Sequence, residues 1–590
     1  MNRCNASISA FMAALAPSPT RLGPRMFAGL AWLVVLAGLG GAPFATATVG
    51  ASSLSDLGCS YCAGGKSGAF FPAFSLHRTT MRLEITKNCP RSPTRLATGT
   101  QVRQAASGDD YPAGSRIAWQ SFEPNLFHRS RTENRPLFLY FHGQWCTWCR
   151  DFQDESLEHD DVVAAIEAGY IPVLIDLDRR RDLFTRYGGR GLPFVVIVDA
   201  QDDVRARFTG HVGAEDLSRV LTEQRRHLSA TGRELVPADE PITTVTAFLE
   251  MLDEVYEPRS RRLSGSAMFG TLSKRPQPWT LAFLLRQPDW ESRVPELLDQ
   301  VIEDLWDPEE GGFFFFYDPD QPDRDRARET SKRLDQNAAF LWLFADAYAH
   351  LGDPRYRNVV ERNLEYLREH LWSAEGQRFF ASQFSDNFYY AQPRAIRQGL
   401  APPPVDRSSF ADASGQAISA LVRASEALDD ARLLEWAGSA LEALDNALST
   451  ETGYLHAWPP DGPPELSGYL PAQVWPGIAW NLYLQAIGAT DRTPEWRLLE
   501  TIASFHDDAL AGYRERRTLE LEPWIETRTQ AALAWWLNRL DPADISAAGI
   551  HPDQVHAELW IAPGADPDDV ALGFKALASQ ESVGPQTSGR

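Results

Sequence analysis

The chain has 590 residues, of which 44% are hydrophobic and 23% are charged, and its formal net charge is −22. This length allows several domains of about 100–200 residues each. The sequence pI near 5.0 opposes nucleic-acid binding, because affinity for phosphates comes largely from Lys and Arg side chains. We therefore expect a multidomain globular protein without a nucleic-acid partner.

The first 47 residues have the pattern of a secretory signal peptide. Residues 1–55 contain no Asp or Glu, and the apolar run "MFAGLAWLVVLAGLG" begins at Met26 and precedes a small-residue "ATA" site. Fifteen apolar residues suit a signal peptide better than a membrane span, which needs about 20. We expect cleavage after Ala47, a periplasmic or secreted mature protein and no integral membrane span. An uncleaved anchor and a transit peptide are the alternatives.

Residues 48–114 show no lasting period and are predicted to be a linker of low order. They contain "CSYC", with Cys59 and Cys62, and a single Cys89. Loss of Cys4 with the signal peptide would leave an odd number of cysteines, so at least one thiol has no partner within the chain.

Residues 115–232 read as a small α/β domain with helices on both faces of a mixed sheet. "RPLFLYFHG" and "YIPVLIDLD" predict strands, "LPFVVIVDA" and "VRARFTG" predict a hairpin, and helical segments follow the first, second and last of these strands. Between the first strand and its helix lies "GQWCTWC". The two cysteines are therefore predicted at the start of a helix.

This position favours redox chemistry at Cys146 and Cys149. Unpaired N–H groups and the positive end of the helix dipole stabilise a thiolate at the first turn, which makes Cys146 the nucleophile and Cys149 the resolving thiol. Arg150 adds positive charge, whereas Asp151 and its acidic neighbours oppose it, so we expect a modestly lowered thiol pKa and reductase or isomerase behaviour. An inert buried pair and a zinc site shared with Cys59 and Cys62 are the alternatives.

The segment from "IAWQSFEPNLFHRSRTENRPLFLYFHGQWCTWC" to "YGGRGLPFVVIVDAQDDVRARFTG" resembles the thioredoxin superfamily, in particular the spermatogenesis-associated thioredoxin-like proteins and their bacterial relatives. The resemblance implies that Pro193 forms a cis peptide bond facing Cys146. It also implies substrate contacts from the Leu192 backbone, and we assign Trp145 and Trp148 to the same role. Tyr140 stands where ordinary thioredoxins carry a buried Asp, so proton transfer from Cys149 is expected to be slower or to use water.

Residues 240–542 show an internal repeat of paired amphipathic helices. "LGDPRY", "LDDARL" and "GATDRTPEW" each separate two helical segments, and a polar turn with Gly and aromatic residues follows the second helix in "DPEEGGFFFF", "SAEGQRFFAS" and "STETGYLHAW". Such hairpins bury their apolar faces on each other, which favours a closed (α/α)6-like toroid over an open superhelix. Residues 543–590 are predicted to form a terminal strand, a helix and a frayed tail.

The same family is similar to six-hairpin glycosidases and sugar epimerases in carrying such a toroid. Sugar chemistry needs two carboxylates about 5–10 Å apart, and several acidic residues are candidates for a funnel, namely Glu309, Glu310, Asp335, Asp412 and Glu465. However, the family's His-Phe-Glu-Lys-Met-Leu stretch reads "ETSKRL" here, and its Asp-Trp-Asn reads "DAS". The matching positions that remain are pocket candidates, with Asp335 beside them: Lys332, Asn337 and Asp412.

Together these patterns predict an exported thiol–disulfide oxidoreductase that exchanges disulfides with a protein substrate and an unidentified reductant. The toroid would recognise that substrate or a glycan, and neither a cofactor nor a metal is expected. The two rival hypotheses are a carbohydrate-active hydrolase or epimerase with a structural thioredoxin domain, and a noncatalytic scaffold.

Overall fold

A computed structural model describes residues 75–77, 80–82, 114–226, 242–263, 277–318, 327–517, 521, 523–557 and 567–582. The signal peptide, its cleavage site and the other four cysteines lie outside these residues. Strands Ser75–His77 and Thr80–Arg82 pair antiparallel in a unit separate from residues 101–590. None of the helices in the described ranges is long and apolar enough to cross a membrane.

The N-terminal α/β domain is a four-stranded mixed sheet with helices on both faces. Its strands are β1 (Leu137–His142), β2 (Ile171–Asp176), β3 (Phe194–Val198) and β4 (Val204–Thr209). They lie in the order β2–β1–β3–β4, with β1 and β2 parallel and the other pairs antiparallel. Its helices are α1 (Asn125–Glu133), α2 (Thr147–Phe152), α3 (Asp160–Gly169), α4 (Arg181–Arg186) and α5 (Ala214–Arg226). The predicted element order is confirmed.

Strand β1 is buried on both faces, which explains why its sequence is continuously apolar and aromatic. Leu139 and Phe141 pack in one core cluster, together with α1, α4 and both cysteines. Phe138 and Tyr140 point to the opposite face, where α3 and α5 cover them. The end of β1 therefore positions the "GQWCTWC" segment over the first of these two cores.

The second domain is a closed ring of helical hairpins. Six inner helices contact one another in sequence and the sixth returns to the first; they are α7 (Pro278–Leu284), α9 (Leu334–Leu351), α13 (Ala411–Leu428), α15 (Pro471–Ala486), α17 (Thr527–Leu537) and α20 (Pro567–Ser582). These helices are apolar almost all round because they are buried on every side. The predicted closed toroid is confirmed.

Amphipathic helices surround this inner ring. They are α6 (Val245–Val255), α8 (Val294–Leu305), α10 (Pro354–His370), α14 (Arg432–Leu448), α16 (Thr493–Ala503), α18 (Pro542–Ala547) and α19 (Pro552–Ala557). Two further short helices, α11 (Asn387–Tyr390) and α12 (Arg394–Arg397), lie in the connection before α13. The predicted turns separate α9 from α10, α13 from α14, and α15 from α16.

Helix α20 changes the expected boundary of the toroid. The sequence pattern predicts that the toroid ends at residue 542 and that residues 543–590 form a terminal strand, a helix and a frayed tail. In the structure α20 packs between α17 and α7, and its Phe574 stacks on Phe248 of α6 at 4.3 Å between ring centroids. A ring of six hairpins needs a sixth inner helix, and the chain supplies it from its C-terminal region.

The repeated Gly and aromatic motif forms a tight two-stranded hairpin after each of five surrounding helices. The paired segments are Tyr256–Glu257 with Arg262–Leu263, Trp306 with Phe313, Trp372–Ser373 with Arg378–Phe379, Ser449–Thr450 with Gly453–Tyr454, and His506–Asp507 with Gly512–Tyr513. These hairpins return the chain toward the next inner helix.

The contact between α13 and α15 gives a test of the packing. A methyl group on Gly415 would lie 2.5 Å from the backbone carbon of Trp475, a contact that neither helix can relieve by rotating a side chain. We expect Gly415→Ala to lower the free energy of unfolding by about 1–3 kcal/mol, as overpacking does. Gly399→Ala is the matched control, because its nearest atom would be 3.5 Å away. Equal denaturant midpoints for the two variants would contradict this packing.

Candidate redox active site

Cys146 and Cys149 form a disulfide at the N-terminus of α2. Cys146 is the N-cap residue, with extended backbone angles, and its Sγ accepts a hydrogen bond from the Cys149 backbone N–H at 3.1 Å. This N–H is one of the four that a helix start leaves without an intrahelical partner. The Cys146 sulfur therefore occupies the position where a helix best stabilises negative charge.

Residues near the disulfide come from β1 and from the segment that precedes β3. The Leu192–Pro193 peptide bond is cis, and Leu192 lies in the same buried cluster as both cysteines. The Tyr140 hydroxyl donates to the Cys149 carbonyl oxygen at 3.2 Å. Burial lowers the pKa of His142, at the end of β1, to about 4, so its imidazole is neutral near pH 7.

The disulfide is covered by the toroid. Cys146 is 1% exposed and Cys149 is 3% exposed. Two toroid phenylalanines lie against the adjacent indoles: Phe315 is 4.7 Å from Trp145 and Phe316 is 5.4 Å from Trp148, between ring centroids. The two tryptophans assigned to substrate binding therefore contact the toroid in this structure.

Hydrogen bonds from the toroid also reach the backbone of the CxxC segment. The Ser385 hydroxyl donates to the Trp145 carbonyl at 3.0 Å, and Arg150 donates to the same hydroxyl at 2.8 Å. The Thr147 N–H donates to the Glu329 carboxylate at 3.1 Å. Ser385 and Glu329 both belong to the toroid, so this domain supplies partners for buried backbone groups of the redox segment.

A second set of contacts joins residues 178–185 of the α/β domain, which we call the contact segment, to the mouth of the toroid. The mouth consists of the N-terminal ends of α9, α13, α15 and α17 with the loops that precede them. Contact-segment residues pair with mouth residues as follows: Asp178 with Arg333 and His456, Arg179 with Glu465, Arg181 with Asp335, Asp182 with Arg516, and Thr185 with Glu526.

The four pocket candidates of the sequence analysis have different surroundings. Lys332 is fully buried in an ion pair with Asp307 at 2.7 Å, and burial lowers its pKa to about 8. Asn337 is also buried and bonds both the N–H and the carbonyl of Phe313. These two side chains stabilise the wall of the toroid, because Lys332 pairs with a buried carboxylate and Asn337 bonds to the Phe313 backbone.

Asp335 and Asp412 lie at the mouth. Although burial opposes ionisation of Asp335, the guanidinium groups of Arg333 and Arg181 lower its pKa below the ordinary value. Asp412 lies 3.7 Å from His456, whose other ring nitrogen is 3.2 Å from the Asp178 carbonyl. Both carboxylates therefore adjoin the contact segment.

Sequence reasoning missed several buried carboxyl groups between the domains. Burial raises the pKa of Glu329 and of Asp176 to about 7, and it also raises that of Asp406. Burial and the nearby Glu526 carboxylate raise the pKa of Glu515 well above its ordinary value. No local motif marks Glu329, because its partner Thr147 lies 182 positions away in the chain.

Within the described residues, no group of three or more His, Cys, Asp or Glu side chains is arranged to hold a metal ion. Cys59 and Cys62 of the zinc alternative lie outside these residues. The disulfide itself leaves Cys146 and Cys149 without the thiolates that zinc requires.

Residues 125–225 match the family model for the thioredoxin-like domain. This part of the chain is a thioredoxin-like domain. Disulfide bond reductase DsbH of Chlamydia pneumoniae is 27% identical over 138 residues, which cover 20% of this chain and 82% of that protein. Spermatogenesis-associated protein 20 of Rattus norvegicus is 21% identical over 96 residues, which cover 16% of this chain and only 12% of that protein.

A solved structure resembles the helical part of the chain. Cellobiose 2-epimerase from Bacillus thermoamylovorans is 9% identical, with a TM-score of 0.45, and the match covers 57% of this chain and 99% of that protein.

The raised carboxyl pKa values predict a pH dependence of stability. The pKa of Asp176 is about 7 in the folded chain and 3.8 ordinarily. Protonated Asp176 therefore contributes to the free energy of unfolding fully below about pH 4, and this contribution is lost as the pH rises through 7. We expect the unfolding temperature to fall between pH 5 and pH 8, and Asp176→Asn to reduce this fall by about 2–4 °C. Asp203→Asn, at an exposed carboxylate of the same domain, should leave it unchanged in thermal unfolding. Identical pH profiles for the wild type and Asp176→Asn would refute the assignment.

Proposed function

We propose that this protein is a thiol–disulfide oxidoreductase that uses Cys146 as the nucleophile and Cys149 as the resolving thiol. The observation that carries the proposal is the disulfide at the N-terminus of α2 in a thioredoxin-like domain. Leu192, in the segment before Pro193, lies in the same core cluster as both cysteines, which supports it. Helix N-termini lower thiol pKa values, which supplies a reactive thiolate at neutral pH.

The exchange proceeds in two thiolate attacks. In the reduced protein the Cys146 thiolate attacks one sulfur of a substrate disulfide, the substrate S–S bond breaks, and the leaving substrate thiolate takes up a proton. Cys149 then loses its proton and attacks the Cys146 sulfur, which releases the second substrate thiol and restores the disulfide. An external dithiol reductant returns two electrons and two protons to the pair.

We propose that the protein acts as a reductase on protein disulfides outside the cytoplasm. The signal-peptide pattern at residues 1–47 supports an extracytoplasmic location. The reducing direction is supported by the acidic residues near the cysteines, Asp151, Asp154 and Glu155, which limit thiolate stabilisation. The similarity to a protein named as a disulfide bond reductase supports the same direction.

We assign the toroid the role of a cover for the disulfide in place of glycan recognition. The carboxylates of Asp335 and Glu465, which the carbohydrate hypothesis needs at a funnel, form ion pairs with Arg181 and Arg179 of the thioredoxin-like domain. A protein substrate reaches Cys146 only when Phe315 and Ser385 move away from the CxxC segment. Covering the disulfide makes its exchange selective for partners that can displace these contacts.

The redox couple is tested by dithiothreitol-dependent insulin reduction with the full chain. We expect turnover above the uncatalysed rate, complete loss in Cys146→Ser, and accumulation of a mixed disulfide with insulin in Cys149→Ser, because the resolving thiol is missing. Turnover is followed by turbidity and the adduct by non-reducing electrophoresis. Wild-type activity equal to that of Cys146→Ser would overturn the proposed function.

The covering role is tested by removing one ring at the contact. Phe315→Ala deletes the aromatic contact with Trp145, which stabilises the covered state by about 0.5–1.5 kcal/mol. Because the disulfide is then uncovered more often, dithiothreitol should reduce it about two- to tenfold faster. Reduction is measured by alkylation and mass spectrometry of the peptide that contains Cys146 and Cys149. Phe388→Ala is the control, since its ring is 68% exposed. Rates that are the same in Phe315→Ala and wild type would show that the toroid does not limit access.

A further inference from the structure

Glu329 is a toroid residue whose carboxyl group lies at the start of the redox helix. It belongs to a short strand paired with Phe316–Tyr317. The Phe316 ring contacts Trp148, and the ring of the preceding residue Phe315 contacts Trp145. The residue is 1% exposed. One of its oxygens accepts the Thr147 N–H at 3.1 Å, and Thr147 directly follows Cys146.

The groups around this carboxyl are mostly neutral. The other oxygen accepts the Ser331 N–H at 3.4 Å, and the Ser385 hydroxyl is a further neighbour. Arg150 on α2 is the cation that acts on it, and the acidic side chains of that helical stretch are Asp151, Asp154 and Glu155. Burial outweighs Arg150 and the hydrogen bonds, so the pKa of Glu329 rises to about 7.

This placement makes Glu329 and the Cys146 thiolate compete for the same positive potential. The free N–H groups and the dipole of α2 stabilise one anion at this end of the helix. A second anion within the first turn is disfavoured by like-charge repulsion, which is strong where water is excluded. The carboxyl group and the thiol therefore titrate as a linked pair.

We propose that Glu329 is a positioning residue of the redox couple, acting through the Thr147 N–H to set the acidity of Cys146. This inference rests on the proposed function and deepens it. When the disulfide accepts two electrons, Cys149 takes up one proton; above about pH 7, where Glu329 is ionised in the disulfide form, its carboxylate takes up a second proton, so that Cys146 remains a thiolate. The toroid thereby contributes a titrating group to the chemistry of the thioredoxin-like domain.

The inference is tested in the fully reduced full-length protein, by measuring the iodoacetamide reaction rate of Cys146 as a function of pH. Mass spectrometry of the peptide that contains Cys146 makes the rate specific to this thiol. In the wild type the reaction rate of Cys146 should rise gradually with pH around pH 7, because two linked groups titrate there. Glu329→Gln should show a single-proton curve of lower midpoint and react about threefold to tenfold faster near the wild-type midpoint.

A merely structural role gives a different result. If Glu329→Gln only loosened the cover, Cys146 would react faster by the same factor at every pH, including pH 5, where the wild-type carboxyl is neutral. That result, or a wild-type curve with a single ordinary titration, would overturn the inference. Glu167→Gln is the control for removing an exposed carboxylate of the same domain away from α2, and its curve should match wild type.

The wild-type curve tests the inference even if Glu329→Gln does not fold. Glu329→Asp is a second variant, which keeps the carboxyl group but shortens the side chain by one methylene. We expect Glu329→Asp to retain the two-group titration with a shifted midpoint. Insulin turnover is measured in parallel. Loss of turnover with an intact two-group titration would refute the proposed function alone, whereas turnover with a one-group titration would refute the role of Glu329.

Discussion

The buried first turn of α2 is the constraint on which the arrangement of this chain depends. Removing a helix start from water leaves its backbone groups in need of partners, and an unmade buried hydrogen bond costs about 1–3 kcal/mol. Here the partners come from the toroid, since Glu329 accepts the Thr147 N–H and Ser385 donates to the Trp145 carbonyl. The redox segment and the toroid therefore form one polar network, in which displacement of the toroid must be compensated by water or by a substrate backbone.

Electrostatics at the mouth of the toroid strengthens the same contact. Asp335 and Glu526 stand at the starts of inner helices, where the helix dipole favours negative charge. The contact segment brings Arg179 and Arg181 against Glu465 and Asp335. The contact segment also carries Asp178 and Asp182, which pair with Arg333 and Arg516 of the mouth, so charges of both signs are matched across this contact. Desolvation raises the pKa values of nearby carboxyl groups, namely Glu329, Asp406 and Glu515.

The function and the fold impose opposite demands on the disulfide. Exchange requires a sulfur that an attacking thiolate can approach in line, whereas the aromatic contacts of Phe315 and Phe316 keep water and solutes away from it. In the proposed function, such a cover lowers the rate of disulfide exchange and raises its selectivity, because each partner must supply enough binding free energy to replace the contacts that it displaces. The same cover places Glu329 in a dry environment, where a single charge has its greatest effect on a neighbouring thiol.

Local sequence patterns were sufficient to predict a thioredoxin-like domain, a helical toroid and the position of the redox pair. The continuous apolar run "LFLYFH", the CxxC at a strand-to-helix junction and the spacing of repeated amphipathic helices are local patterns that depend on a few neighbouring residues. Three features are visible only in the folded structure: α20 closes the ring, residues 178–185 lie against the mouth, and the Glu329 carboxylate accepts the Thr147 N–H. These contacts join residues up to hundreds of positions apart. Such contacts depend on how the helices and strands pack against each other, and local periodicity or residue spacing does not indicate that packing.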